Sequence, residues 1–252
     1  MKQLITYYPQ NESDSSVTIT ATTENANFPK KNLKSLQPVK CWKSTAVNAE
    51  QTIKYDLGGL KSFNGIFINR INFAEFYIET SPNNSTWTVA EHVTGLTTDE
   101  IADELYMHRF VEITAVNYRY VRLRIPAQTP LFEPTYFKVG NMLIGNFVTI
   151  WNPKAGFSVN EIPKLSILEF PRSGYMSVEK IGKTRRVFSG NLDKFTKIEY
   201  DKIVKTYQPF VLYLEFDTNK TSVYLVRANS GYARDYFLGN VLNMSFQFDE
   251  IV

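Results

Sequence analysis

Short runs in which apolar and polar side chains alternate recur along the whole chain, each interrupted by Gly, Pro, Asn or Ser. Alternation with period two puts every second side chain on one face, so these runs predict half-buried strands. In the first half they fall at 16–21, 52–57, 64–69, 75–80, 86–93, 110–113, 119–125 and 138–145, and Gly58-Gly59 is expected to stop the second of them. Ser81-Pro82-Asn83-Asn84-Ser85 predicts a turn, because Pro presets φ and Asn tolerates positive φ. Along 119–125, Val121, Leu123 and Ile125 share one face, and Tyr120, Arg122 and Arg124 the other. Residues 126–136 contain three prolines and read as a loop, since Pro cannot sit in a central strand.

The second half continues the pattern at 166–170, 177–187, 210–215, 221–227 and 242–248, the last placing Leu242, Met244, Phe246 and Phe248 on one face. One helix is expected. Thr196 and Glu199 form a capping box, which satisfies the free amides of a helix start. Phe195, Ile198, Ile203, Val204 and Tyr207 roughly follow helical spacing, and Gln208-Pro209 ends the run. A boundary is expected near 147–153, giving units 1–147 and 148–252, since domains usually hold about 100–150 residues.

Composition agrees with a β class: aromatics are 14% of 252 residues, with 15 Tyr and 18 Phe. The net charge of +3 is too small for a nucleic-acid glove. It is uneven, however, with 14 basic and 14 acidic residues in 1–147 against 14 and 11 in 148–252. One cysteine, Cys41, precludes an internal disulfide. The N-terminus has no continuous apolar core of the signal-peptide kind, and no run of apolar residues is long enough to span a membrane. These features lead to the expectation of a protein folded in a cytoplasm.

Candidate chemistry is sparse. His92, within a strand pattern, is expected at the surface or an edge, and His108 has no partner close in sequence. Cys41 beside Trp42 reads as a buried, inert thiol. No nucleophile elbow, phosphate loop or dinucleotide fingerprint occurs, and no His/Cys spacing marks a metal. Neither an enzyme nor a cofactor is expected. Asp99, Glu100, Asp103 and Glu104 read as the solvated face of a short helical turn capped by Thr98 rather than a calcium site. Lys180, Lys183, Arg185 and Arg186 around Gly182 read as a hairpin with a charged tip, available for assembly or an acidic partner. Phe73, Tyr106, Tyr136 and Phe137 are the candidates for stacking on sugar rings, against a core or interface role.

Five pieces occur in order over about 110 residues: Phe28-Pro29-Lys30-Lys31-Asn32-Leu33, Cys41-Trp42-Lys43-Ser44, the run 52–58 ending Asp56-Leu57-Gly58, the run 77–87 ending in Trp87, and Arg119-Tyr120-Val121-Arg122-Leu123. Together they resemble the discoidin, or coagulation-factor-C-like, galactose-binding fold. The resemblance implies a β-sandwich of jelly-roll type. Ser35-Leu36-Gln37-Pro38 replaces the Asp-Gly usual after the early loop, so no metal is carried over. The first half looks most like such domains on phage virion proteins. Trp151-Asn152-Pro153, Arg185-Arg186-Val187-Phe188-Ser189-Gly190, Gln208-Pro209-Phe210-Val211 and the ending Phe248-Asp249-Glu250 are similar in order to the ring-forming β domain of distal tail and minor tail proteins.

The expectation is therefore a mainly β, two-domain structural protein of a phage tail tip, acting in the virion. A barrel-like C-terminal domain with one helix would form a homo-oligomeric ring, hexameric by analogy, between the tail tube and tail-tip hub proteins. The discoidin-like domain would face outward toward protein or a host glycan. The alternative is a carbohydrate-binding module for host attachment. An enzyme such as a depolymerase ranks last for want of catalytic groups.

Overall fold

The computed structural model describes residues 2–9, 16–35, 37, 40–96, 99–101, 104–151, 158–162, 165–170, 175–180, 185–196, 210–214, 223–228, 233–237 and 241–250. Its strands in the first half are β1 (Lys2–Pro9), β2 (Thr18–Ala21), β3 (Trp42–Lys43), β4 (Gln51–Ile71), β5 (Phe76–Ser81), β6 (Thr88–Val93), β7 (Asp99–Ile101), β8 (Glu104–Ile125), β9 (Lys138–Val139) and β10 (Asn141–Trp151). A 3-10 turn, Lys30–Lys34, lies between β2 and β3. The second half adds β11 (Ser158–Ile162), β12 (Leu165–Phe170), β13 (Tyr175–Lys180), β14 (Arg185–Thr196), β15 (Phe210–Leu214), β16 (Val223–Ala228), β17 (Ala233–Phe237) and β18 (Val241–Glu250). The chain is mainly β, as its alternation predicts. Among the described residues no helix is long and apolar enough to cross a membrane.

Two long strands build the N-terminal sandwich. At its start β4 alternates: Ile53, Tyr55 and Leu57 are buried while Thr52, Lys54 and Asp56 are only half-buried, so one face stays wet. From Phe63 to Ile71 only Asn64 escapes burial, because this part is covered on both faces. The expected stop at Gly58-Gly59 does not occur. Residues 57–60 bulge out against Arg119 alone, and β4 continues from Lys61 opposite Tyr118. Gly58 supplies the φ of +76° that the bulge needs. Likewise the expected strands 110–113 and 119–125 are parts of β8.

The start of β4 and the end of β8 form one layer with β2, β5 and β6. The rest of β4 and β8 forms the second layer with β10. Trp42, Tyr55, Phe63, Phe73, Phe76 and Phe137 are fully buried in the core of this β-sandwich. Residues 126–136 form a loop, as their prolines predict.

The second layer is also covered from outside. Phe110 meets Phe147 at 4.9 Å, and His108 meets Tyr224 of β16 edge-on at 6.5 Å. One hydrogen-bonded path runs β11-β14-β18-β16-β15-β1-β10-β4-β8-β5-β6. The boundary expected near 147 thus falls inside β10, and β1 stands between β10 and β15.

Two local expectations are corrected. Asp99–Ile101 is not a helical turn: β7 pairs with β8 through Asp99 opposite Tyr106 and Ile101 opposite Glu104. The stretch 177–187 falls on β13 and β14, with 181–184 outside the described residues, and these two strands do not form the hairpin expected around Gly182: β13 pairs with β12, while β14 pairs with β11 and β18. The helix expected over 196–207 lies outside the described residues from 197 onward; Phe195 and Thr196 end β14.

Candidate ligand-binding face

Strand register sets the outer face of the first layer. Thr20, Lys54, Arg122 and Glu79 stand opposite one another in a row across β2, β4, β8 and β5. The adjacent row is Thr52, Arg124, Tyr77 and His92. Side chains two apart along a strand share a face, so both rows look outward.

This face is tied together by charge and aromatic planes. Glu79, buried, accepts from Arg122 Nε at 2.6 Å and from Arg124 Nε at 2.8 Å. Arg124 also donates to Glu50 at 3.1 Å. The Arg124 guanidinium lies 3.8 Å from the Tyr77 ring centroid, and Tyr77 stacks on His92 at 3.9 Å. Arg119 grips Asp56 with two bonds of 2.7 and 2.8 Å, which hold that carboxyl below its ordinary range.

The turn between β5 and β6 brings in the remaining groups. Ser81 Oγ accepts from the amides of Asn83 and Asn84, and Asn83 Oδ1 accepts from those of Ser85 and Thr86. Asn84 sits at φ +64°, the conformation the sequence pattern predicts for Asn here. Its side-chain oxygen accepts from Lys54 Nζ at 3.0 Å, and the Trp87 ring lies 4.2 Å from the Arg122 guanidinium. Thr22 and Thr52 close the other side, their hydroxyls 2.7 Å apart. The result is an open cavity of about 350 Å³ lined by Thr20, Ala21, Thr22, Thr52, Lys54, Asn84, Trp87 and Arg122.

This face lies within one segment of the chain. Residues 18–134 match the F5/8 type C domain family. This segment is an F5/8 type C, or discoidin-like, domain. Solved structures similar to the chain include chitosan-binding module 1 of a chitosanase/glucanase from Paenibacillus sp. IK-5, at 18% identity and TM-score 0.44, covering 54% of this chain and 98% of the module. The family 32 carbohydrate-binding module of C. perfringens NanJ, solved with galactose, is 16% identical with a TM-score of 0.43, covering 56% and 98%. A GH29 fucosidase of Ruminococcus gnavus is 12% identical with a TM-score of 0.44, over 56% of this chain and 27% of the enzyme. No curated protein matches the chain.

The aromatic candidates fare unevenly. Phe73 and Phe137 are fully buried, their rings meeting edge to face at 5.9 Å, so neither can stack on a sugar. Both lie between strands, and the loop 126–136 is tied to the chain beside Phe73 by the Leu131 amide donating to the Asn72 carbonyl at 2.8 Å. Tyr136 is half-buried and used internally. Its hydroxyl donates to Glu133 at 2.7 Å and accepts from Lys43 Nζ at 2.6 Å. Burial and then the bond to Glu133 push that hydroxyl above its ordinary range. Lys43 also lies 3.9 Å from the Tyr136 ring and 4.3 Å from that of Phe28. Tyr106 is on β8, opposite Asp99, and its side chain lies outside the described residues.

Of the basic candidates, Arg185 and Arg186 have described side chains. Arg185 donates to Asp249 at 3.0 Å, and Arg186 is buried with its guanidinium 4.4 Å from the Tyr224 ring. Arg186 is an interior group rather than an exposed contact, packed on the Tyr224 ring of β16. Lys183 and the Lys180 side chain lie outside the described residues.

His92 is exposed on β6, as expected, with Nε2 2.9 Å from Glu75. Burial, followed by the charges of Arg70 and Arg186, pushes His108 down to about 3. Cys41 is buried, and burial raises its thiol above the ordinary range, as expected of an inert cysteine. Among the described residues no group of His, Cys, Asp or Glu is placed to hold a metal ion.

The cavity groups were only partly visible in the sequence. Arg122 was placed on the polar face of its strand, and Lys54 and Trp87 stood in the family pieces. Thr52 and Asn84 lie in the same pieces, while Thr20 and Thr22 join them only through register.

Proposed function

We propose that the F5/8 type C domain is a non-catalytic carbohydrate-binding module whose ligand sits in the cavity between Thr20, Lys54, Asn84, Trp87 and Arg122. One observation carries this reading: an open cavity combines an aromatic side chain with three threonine hydroxyls, an amide and two cations. A sugar ring offers an apolar C–H face for the aromatic plane. It also offers several hydroxyls, which threonine and asparagine can meet as both donor and acceptor. A volume of about 350 Å³ suits one or two sugar units, at the small end of ligand sites.

The test is retention of the full chain on a panel of immobilised neutral and acidic polysaccharides. Retention on at least one, weakened about tenfold or more by Trp87→Ala, is expected for loss of an aromatic contact of this kind. Retention on none would overturn the reading.

A second reading concerns assembly and is compatible with the first. β11 ends the strand path among the described residues, and it carries Val159 at 39% and Ile162 at 42% exposure. An edge with exposed apolar side chains favours pairing with another chain. This supports the tail-tip role implied by the resemblance to distal tail proteins. In that role residues 148–252 join copies in a ring, and residues 1–147 face outward. A ring-sized mass for the full chain in solution, reduced by Val159→Lys with Ile162→Lys, is expected. A strict monomer at high concentration would overturn it.

A further inference from the structure

The charges around the same cavity are not balanced, and the imbalance points to a ligand class. Lys54 and Arg122 stand directly opposite each other on β4 and β8. Two cations in that position repel, where an opposite-charge pair would stabilise the ladder. The carboxylates nearby are already committed. Glu79 is buried and shared between Arg122 and Arg124, and Asp56 is held by Arg119. None of the residues lining the cavity is acidic. The hydrogen bond of Lys54 goes to a neutral amide oxygen, that of Asn84. An ammonium has three donors, so two remain for a ligand, and the excess positive charge on this face sits at the mouth of the cavity.

We propose that the cavity selects acidic glycans, with Lys54 receiving the anionic group of the sugar while Trp87 and the threonines hold the ring. This deepens the carbohydrate reading and rests on it. A charged acceptor forms a shorter and stronger bond to an ammonium than a hydroxyl does. Because the cavity is open, the preference falls with added salt.

The test uses the full chain and two matched pairs of probes: polygalacturonate against its carboxyl-reduced form, and dextran sulfate against dextran. The acidic member of at least one pair is expected to bind roughly tenfold more tightly, the gain of a charge-assisted bond over a neutral one. Which pair responds tells carboxylate from sulfate. Lys54→Gln removes the charge while keeping a polar side chain and is expected to abolish the preference. Lys54→Arg is expected to retain it, and Lys31→Gln, which removes the same charge from an exposed turn, leaves it unchanged. Equal, Trp87-dependent binding of acidic and neutral members would overturn this inference and leave the carbohydrate reading standing. A preference that survives Lys54→Gln, or falls equally with Lys31→Gln, would also overturn it. Binding to no polymer at all would overturn both.

Discussion

Ser44 and Phe137 hold each other twice. The Ser44 amide donates to the Phe137 carbonyl at 2.9 Å, and the Phe137 amide donates to Ser44 Oγ at 2.8 Å. The same hydroxyl donates onward to the Ala46 carbonyl at 2.8 Å. Ser44 is buried, and the contact pins the end of the loop 126–136 against the loop after β3. Ser44→Ala leaves the buried Phe137 amide without its acceptor, which costs about 1–3 kcal/mol. Urea unfolding of the variant checks this. An unchanged midpoint would mean that the hydroxyl is replaceable by water.

The bulge in β4 separates two adjacent glycines. A Cβ on Gly58 would lie 2.5 Å from Ser16 Oγ at a φ of +76°, whereas one on Gly59 would meet nothing within 4 Å. Gly58→Ala is expected to destabilise by about 1–2 kcal/mol, from the left-handed backbone and the close approach. Gly59→Ala is expected to be near neutral. Thermal melts of the two variants side by side decide it, and equal losses would contradict the bulge geometry.

Glu79 bridges Arg122 and Arg124 from a buried position. Glu79→Gln removes the charge and keeps the shape. Both arginines are partly exposed, so the loss is discounted from that of a fully buried pair to about 1–3 kcal/mol. The same variant frees Arg122 beneath Trp87, so ligand binding is expected to change along with stability. Calorimetric binding and denaturation of one sample measure both. A variant with wild-type stability would show that the ladder is held by its aromatic planes alone.

His108 sets a pH dependence. Its folded value, pushed down to about 3, lies below the unfolded value of about 6.5. The unfolded chain therefore binds the extra proton first as pH falls. Stability from this group is fully present above about pH 6.5 and is lost from there down toward pH 3, by up to about 1.4 kcal/mol per pH unit. The Nδ1 atom accepts from the Arg70 amide at 3.3 Å, which also requires the neutral ring. Denaturation between pH 7 and pH 4.5 should show this slope, and a flat profile would contradict the burial of a neutral imidazole.

The strands were legible wherever one face stays wet. Ile53/Lys54 and Val121/Arg122 alternate because core and solvent alternate around them, and Asn84 marks its turn because few residues accept its φ. What the sequence hid has specific causes. β4 and β8 each read as two strands, because a bulge and a stop share the same glycine signal at Gly58. The acidic run at Asp99 read as helical, because short polar segments fit several periods. Phe73 and Phe137 were candidate platforms, because an aromatic residue in or beside a loop gives no sign of whether the loop folds over it. The cavity was half-visible: Trp87 and Arg122 were noted, but Lys54 meets Arg122 only through cross-strand register, which alternation alone does not fix.

The most direct test of the central claim is a map of amide shifts on the isotopically labelled full chain, titrated with the polysaccharide fragment that binds best. The largest changes are expected at Thr20, Thr22, Thr52, Lys54, Asn84, Trp87 and Arg122, with little change at Lys43, Glu133 and Tyr136. Changes centred on Lys43, Glu133 and Tyr136 instead, with the outer face of β4 and β8 silent, would contradict it.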